Sequence, residues 1–170
     1  MKRLKYLFMA LVMVICMLGS SVPVSASSYS TGKAVIPHFF LTPIFNYYID
    51  VSNITDNPIE VTLTLYDKDG SIIKDDNNVS AGQIKAYTVL NYCDQNVDST
   101  ASFTLNPHCT GIIELALNPI GKYGYGVIEW KQNGSIMKGL ISCGYMYNYK
   151  NDSTTVQSIS YFDINGGLPF

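Results

Sequence analysis

The sequence of 170 residues holds one arginine, Arg3, two histidines and one tryptophan, and only 14% of its residues are charged. Each scarcity excludes something. Nucleic-acid binding uses Lys and Arg to neutralise phosphates and Arg forks to read bases. A chain whose single Arg is its third residue lacks that equipment. It equally lacks bidentate Arg clamps for carboxylate or phosphate. The histidines are His38 and His108. His108 adjoins Cys109, but neighbours on an extended chain point to opposite faces and do not make a nucleophile–base pair. There is no Cys-x-x-Cys, no Cys/His metal spacing, no Gly-x-Ser-x-Gly elbow and no His-Glu-x-x-His helix. The expectation is a protein that is not an enzyme, with no cofactor, no metal and no nucleic-acid partner.

Long apolar runs are scarce too. The single one, Leu7 to Leu18, has 12 residues. A spanning helix needs about 20. Lys2, Arg3 and Lys5 precede the run and Val24-Ser25-Ala26 follows it. This is the pattern of a secretory signal peptide over residues 1–26, cleaved after Ala26, with one domain over 27–170. The product is expected to be secreted or at the cell surface, with no integral membrane segment in the mature chain. It would carry 8 Lys against 13 acids, a net charge of −5, and 12 of the 13 tyrosines. It would keep Cys93, Cys109 and Cys143. Export exposes them to oxidation. Cys93 and Cys109 lie in polar, loop-like stretches, and closing that loop would stabilise by about 3 kcal/mol. Three reduced thiols are the alternative, since spacing does not fix pairing. Cys143 lies in an apolar strand pattern and reads as a buried thiol.

What is abundant is period-two alternation broken by turn residues. Ile59, Val61, Leu63 and Leu65 alternate with Glu60, Thr62, Thr64 and Tyr66. Asp67-Lys68-Asp69-Gly70 then turns the chain, and Ser71 to Lys74 returns as a hairpin. Asp67, Asp69 and Ser71 also resemble half a calcium loop, but its closing Glu is missing. Further strands are expected at 47–54, 83–90, 101–105, 111–117, 123–131, 136–149 and 154–164. Residues 27–33 read as a flexible start. No stretch keeps helical periodicity. The fold class is all-β, a single antiparallel β-sandwich of about eight or nine strands.

Candidate ligand-binding residues follow from aromatics on strands. Tyr145, Tyr147 and Tyr149 alternate on one face with Cys143. Tyr123 and Tyr125 alternate on another, opposite Gly124 and Gly126, and Glu129 shares their parity. Glu114 is a second acid inside an apolar strand. A low-charge aromatic wall suits stacking on apolar or sugar faces, with hydroxyls as polar handles. It also suits sheet packing or a subunit contact. The candidates are Tyr123, Tyr125, Glu129, Trp130, Tyr145 and Tyr147.

Gly32-Lys33-Ala34-Val35-Ile36-Pro37, the strand ending Val51-Ser52-Asn53-Ile54-Thr55, the alternating run Ile59 to Gly70, and Gly124 to Trp130 resemble small exported bacterial β-sandwich proteins of uncharacterised function. The order of these motifs is also similar to the sensory rhodopsin transducer-like superfamily. That resemblance implies an all-β domain that binds a small molecule, with sugars among the candidates. The functional expectation is a secreted, non-catalytic binding module for a small neutral or sugar-like ligand. The alternative is a cell-surface or matrix protein that acts by self-association as a homo-oligomer.

Overall fold

The alternating run at residues 59–66 becomes a strand with Ile59, Val61, Leu63 and Leu65 buried, the parity its sequence dictates. The structure, a computed structural model, describes residues 28–41, 45–74, 84–94, 99–115, 122–149 and 155–170. The signal peptide expected over 1–26 lies outside the described residues. The strands are β1 (Tyr29–Leu41), β2 (Phe45–Asn53), β3 (Ile59–Asp67), β4 (Ile84–Tyr87), β5 (Leu90–Asp94), β6 (Ala101–Leu105), β7 (Thr110–Leu115), β8 (Lys122–Asn133), β9 (Leu140–Tyr149) and β10 (Val156–Asp163). One sheet runs β1-β8-β3-β6-β5 and the other β10-β9-β2-β7-β4. All pairings are antiparallel. We call them sheets A and B.

The described residues are therefore all-β, two five-stranded sheets forming a β-sandwich with ten strands among them rather than eight or nine. Two differences account for the count. Residues 27–33, expected to be flexible, lie largely within β1, which pairs with β8 from Tyr29↔Asn133 onward. Ser30 fixes that end, its Oγ donating to the Gly134 carbonyl at 2.7 Å and accepting from the Ile136 amide at 2.8 Å. The run 83–90, expected as one strand, breaks at Thr88, whose φ is +58°. β4 before the break belongs to sheet B and β5 after it to sheet A. In the other direction, Ser71 to Lys74 returns beside β3 through a single bridge, Tyr66↔Ile72, and forms no full strand. Asp69 there accepts from the Ser71 amide at 3.0 Å and from the Ser71 hydroxyl, which closes the turn.

The two sheets share one core. Ile36, Phe39, Leu63, Leu65, Leu105 and Ile128 of sheet A meet Ile49, Val51, Ile113, Leu115 and Leu140 of sheet B. Each such side chain contributes about 1.5–3 kcal/mol by leaving water. Gly124 allows a close approach: a Cβ there would stand 1.8 Å from the Tyr66 carbonyl oxygen.

One polar cluster closes an end of the core. The Asn53 amide nitrogen donates to the carbonyls of Asn57 (2.8 Å), Asn106 (3.0 Å) and Leu105 (3.3 Å). Its Oδ1 accepts from the Thr55 amide and hydroxyl. Gln132 donates to Thr55 Oγ1 at 2.6 Å and to the Asn57 carbonyl at 2.8 Å.

Candidate functional site

β2, β7, β9, β10 and β4 each present alternate residues on the outer face of sheet B. Register places Tyr48 between Glu114 and Tyr145, and Asp50 between Ile112 and Cys143. Tyr147 lies beside Ile159, and Tyr145 beside Tyr161. Lys85 lies opposite Glu114. The face therefore collects six tyrosines, Tyr48, Tyr87, Tyr145, Tyr147, Tyr149 and Tyr161, around three carboxylates, Asp50, Glu114 and Asp163, and the amide of Asn46.

The rings form a connected array. Tyr48 and Tyr145 stack with centroids 5.1 Å apart and planes 8° apart. Tyr147 meets both edge-on, at 5.3 and 5.6 Å. Tyr161 lies 6.1 Å from Tyr145 and is 77% exposed. Pairs of this kind add about 0.5–1.5 kcal/mol beyond their burial. Burial pushes the Tyr48 hydroxyl well above its ordinary value, and pushes Tyr145 up to about 12. Both hydroxyls therefore stay protonated and keep their donors across the physiological range.

The carboxylates differ. Glu114 is 8% exposed and well satisfied. Tyr87 donates to its Oε2 at 2.7 Å, Asn46 to its Oε1 at 3.5 Å, and the Lys85 ammonium lies 3.8 Å away. Asp50 is not satisfied. Tyr145 hydrogen-bonds to its carboxyl, yet its pKa is raised because desolvation outweighs that bond. Its Oδ1 is enclosed with no hydrogen-bond partner, and so is Oδ1 of Asn46. Beside Asp50 stands Cys143, whose thiol is pushed up by partial burial and by the charges of Asp50 and Asp163. Cys143 is exposed, not buried as its apolar neighbours suggested. Strand parity puts it with Tyr145 and Tyr147, while Leu140, Ser142 and Gly144 point inward.

The six candidates do not form one site. Tyr145 and Tyr147 belong to the face just described. Tyr123, Tyr125 and Glu129 share the outer face of sheet A, on the far side of the sandwich. There Tyr125 stacks on Tyr66 at 4.9 Å, Tyr123 lies 6.3 Å from Phe40, and Glu129 pairs with Lys33 at 3.2 Å. A shallow depression of about 520 Å3 lies over Lys33, Thr62 and Glu129. Trp130 points the other way, into the core. It is 2% exposed and its indole N–H donates to the Phe170 backbone oxygen at 2.9 Å. Its ring is closed to a ligand.

In the structure Cys93 and Cys109 are both exposed and are not joined to each other. Cys93 pairs with Ser102 near the start of β6, and Cys109 lies beyond that strand's end at Leu105. Three residues of strand span about 10 Å. A disulfide bridges Cα atoms no more than about 7 Å apart. His108 faces Asp56, Nε2 to Oδ1, at 2.9 Å, but both are exposed. Pairs at that exposure contribute about 0–1 kcal/mol. Among the described residues no group of three or more His, Cys, Asp or Glu is placed to hold a metal. No helix among them is long and apolar enough to cross a membrane.

The residues that sequence reasoning missed are Asn46, Tyr48, Asp50, Tyr87 and Tyr161. The parity of β2 already set Tyr48 and Asp50 on one face. Which strands would flank that face is a matter of long-range pairing, and no local pattern carries it.

No family model and no curated protein matches the chain. A solved structure described as "Bacillus endospore appendages form a novel family of disulfide-linked pili" aligns with 68% of this chain and 100% of its own, at 11% identity and a TM-score of 0.20. A likeness that low carries no argument about fold or function.

Proposed function

We propose that the protein is a non-catalytic binding module and that the outer face of sheet B holds a small, neutral, hydroxyl-rich ligand of the sugar type. One observation carries the reading: Asp50 and Asn46 each enclose an acceptor oxygen without a partner, on a face otherwise lined by tyrosine hydroxyls. Enclosed polar atoms are nearly always paired, so these two oxygens draw a donor from outside the chain. A ligand hydroxyl that reaches them past the neighbouring rings supplies that donor. Tyr161, the most open ring, supplies an apolar surface for a sugar's C–H face. Tyr145 bounds the site and Asp50 orients the ligand, while Asn46, about 13 Å along β2, offers a second acceptor beyond Tyr48. The resemblance to small-molecule-binding all-β proteins points the same way, as does the expected export of the chain.

The test is a glycan array followed by calorimetry on the best hit. Binding is expected to fall about tenfold or more in Asp50→Asn, since a lost hydrogen bond to a charged group is worth about 1.5–3 kcal/mol, and to fall in Tyr161→Ala, which removes the stacking surface. Both variants should keep the wild-type circular dichroism. Loss of the same hit in Tyr123→Ala with retention in Tyr161→Ala would move the site to sheet A. An array without hits would remove the sugar reading.

A further inference from the structure

We propose that β10 is an assembly edge, and that its partner is β10 of a second copy of this chain. This does not rest on the ligand reading. A sheet edge presents unpaired backbone N–H and C=O groups, and proteins protect such edges with charges, proline, bulges or shortness. Three of the four edges here are protected. β1 carries Pro37, Lys33 and a register shift between Ile36 and Phe39. β5 is five residues long, shifts register between Leu90 and Cys93, and holds Asn91 at φ +52°. β4 has four residues, one of them Lys85.

β10 is the least protected, since its one charge, Asp163, and its one register shift lie at its two ends. Val156 to Phe162 contains no charge and no proline. Its one irregularity lies at its first residues, between Val156 and Ser158, and from Ser158 to Asp163 it is regular. The first six of its eight residues are exposed on both faces, so the rest of the sandwich leaves it uncovered. Ile159 is 44% and Tyr161 77% exposed on the outer side.

A second copy suits this edge because the strand is complementary to itself. Opposed residues of an antiparallel pair share a face. Pairing about a two-fold axis at Ser160 sets Ile159 of one copy opposite Tyr161 of the other, twice. Aromatic and β-branched residues form favourable cross-strand pairs. Ser158 then meets Phe162, and Asp163 meets Gln157, so no like charges face one another. The two B sheets become one ten-stranded sheet, and their tyrosine faces lie side by side on one surface.

Sedimentation velocity over a concentration series is the first test, with a reversible shift from one to two copies expected. Ile159→Lys should abolish it, and circular dichroism should be unchanged because the side chain is half-exposed. The second test reads geometry. Directly opposed Cα atoms lie about 4.5–5.5 Å apart, inside disulfide range. In a chain with Cys93, Cys109 and Cys143 changed to Ser, Ser160→Cys should give a linked dimer under mild oxidation. Met137→Cys, in the connection between β8 and β9, should not. A monomer at every concentration overturns the proposal. So does a dimer indifferent to Ile159→Lys, or equal cross-linking at Ser160 and Met137.

Discussion

The indole of Trp130 reaches across the core to the last described residue, donating to the Phe170 backbone oxygen at 2.9 Å. The amides of Gly139 and Leu140 donate to the same oxygen, at 3.0 and 3.1 Å. The chain's single tryptophan is therefore a structural tie between β8 and residue 170. Its fluorescence should be blue-shifted, should shift red on unfolding, and should not be quenched by any ligand on either outer face. Trp130→Ala should cost about 3–5 kcal/mol in a denaturant titration. Saturable quenching by a sugar in the folded protein would show that this packing is wrong.

Asp50 gives a pH dependence with a definite sign. Desolvation raises its pKa above the ordinary 3.8 in the folded chain. An acid raised by folding ionises more readily when unfolded, so its ionisation favours unfolding. Its penalty is absent below 3.8 and appears as pH climbs through the folded value. Asp50→Asn should therefore melt higher than wild type near neutrality, and the two should converge at acid pH. Paired with the loss of binding proposed above, this is the stability–function trade expected of a working site. A variant that melts lower at neutrality would show that Asp50 is held by a structural role.

Much of the fold was legible in local sequence, for physical reasons that also mark where legibility stops. Alternation over Ile59 to Tyr66 gave β3 because one face is buried and the other is wet. Gly124 announced a close contact because glycine in a strand needs such a reason. β1 was hidden because Tyr29, Ser30 and Thr31 carry no strong apolar pattern; pairing with the long β8 holds them. The β4–β5 break was hidden because Thr88 adopts a positive φ that its residue type does not advertise. Half the tyrosine face was visible in Tyr145, Tyr147 and Tyr149. The rest comes from β2, β4 and β10, brought alongside only by sheet order. Trp130 alternates with Glu129 along β8, so the two cannot both face outward, and the larger apolar ring takes the core side.

Asn53 lies at the end of β2 and looks like an ordinary turn residue. It is 1% exposed, and its amide serves three carbonyls from two separate loops. Removing it takes a donor from each carbonyl, although Asn57 keeps Gln132 and Thr55 and Asn106 keeps the Cys109 amide. Asn53→Ala should therefore cost about 1–3 kcal/mol. Combining it with Gln132→Ala should cost more than the two single losses summed, because each amide backs up the other at the Asn57 carbonyl. Full additivity in a double-mutant cycle would show that the two amides act separately.

Gly144 of β9 lies beneath Phe162 of β10. A Cβ there would stand 1.9 Å from the ring's Cζ. The ring covers the glycine and completes the inner side of the β9–β10 pair. Gly144→Ala should displace Phe162 and cost about 1–3 kcal/mol by overpacking. The effect should be local, with faster amide exchange along β10 and little change in sheet A. Uniformly faster exchange in both sheets would instead place Gly144 in the shared core.

Cys143 offers a chemical probe of the same face. Its thiol is pushed up first by partial burial, then by the charges of Asp50 and Asp163. Only the thiolate attacks an alkylating reagent, so a raised pKa means slow labelling at mildly alkaline pH. Removing the Asp50 charge lowers that pKa and enlarges the thiolate fraction. Asp50→Asn should therefore speed alkylation of Cys143, followed by peptide mapping to separate it from Cys93 and Cys109. The acceleration should shrink in high salt to the extent that water reaches the pair. A change in solvent access would raise the rate at every pH alike. A change in pKa raises it below the thiol's titration and leaves the plateau above it nearly unmoved. The shape of the rate against pH thus separates the two causes, and an unchanged curve would mean that Asp50 and Cys143 are not neighbours across β2 and β9.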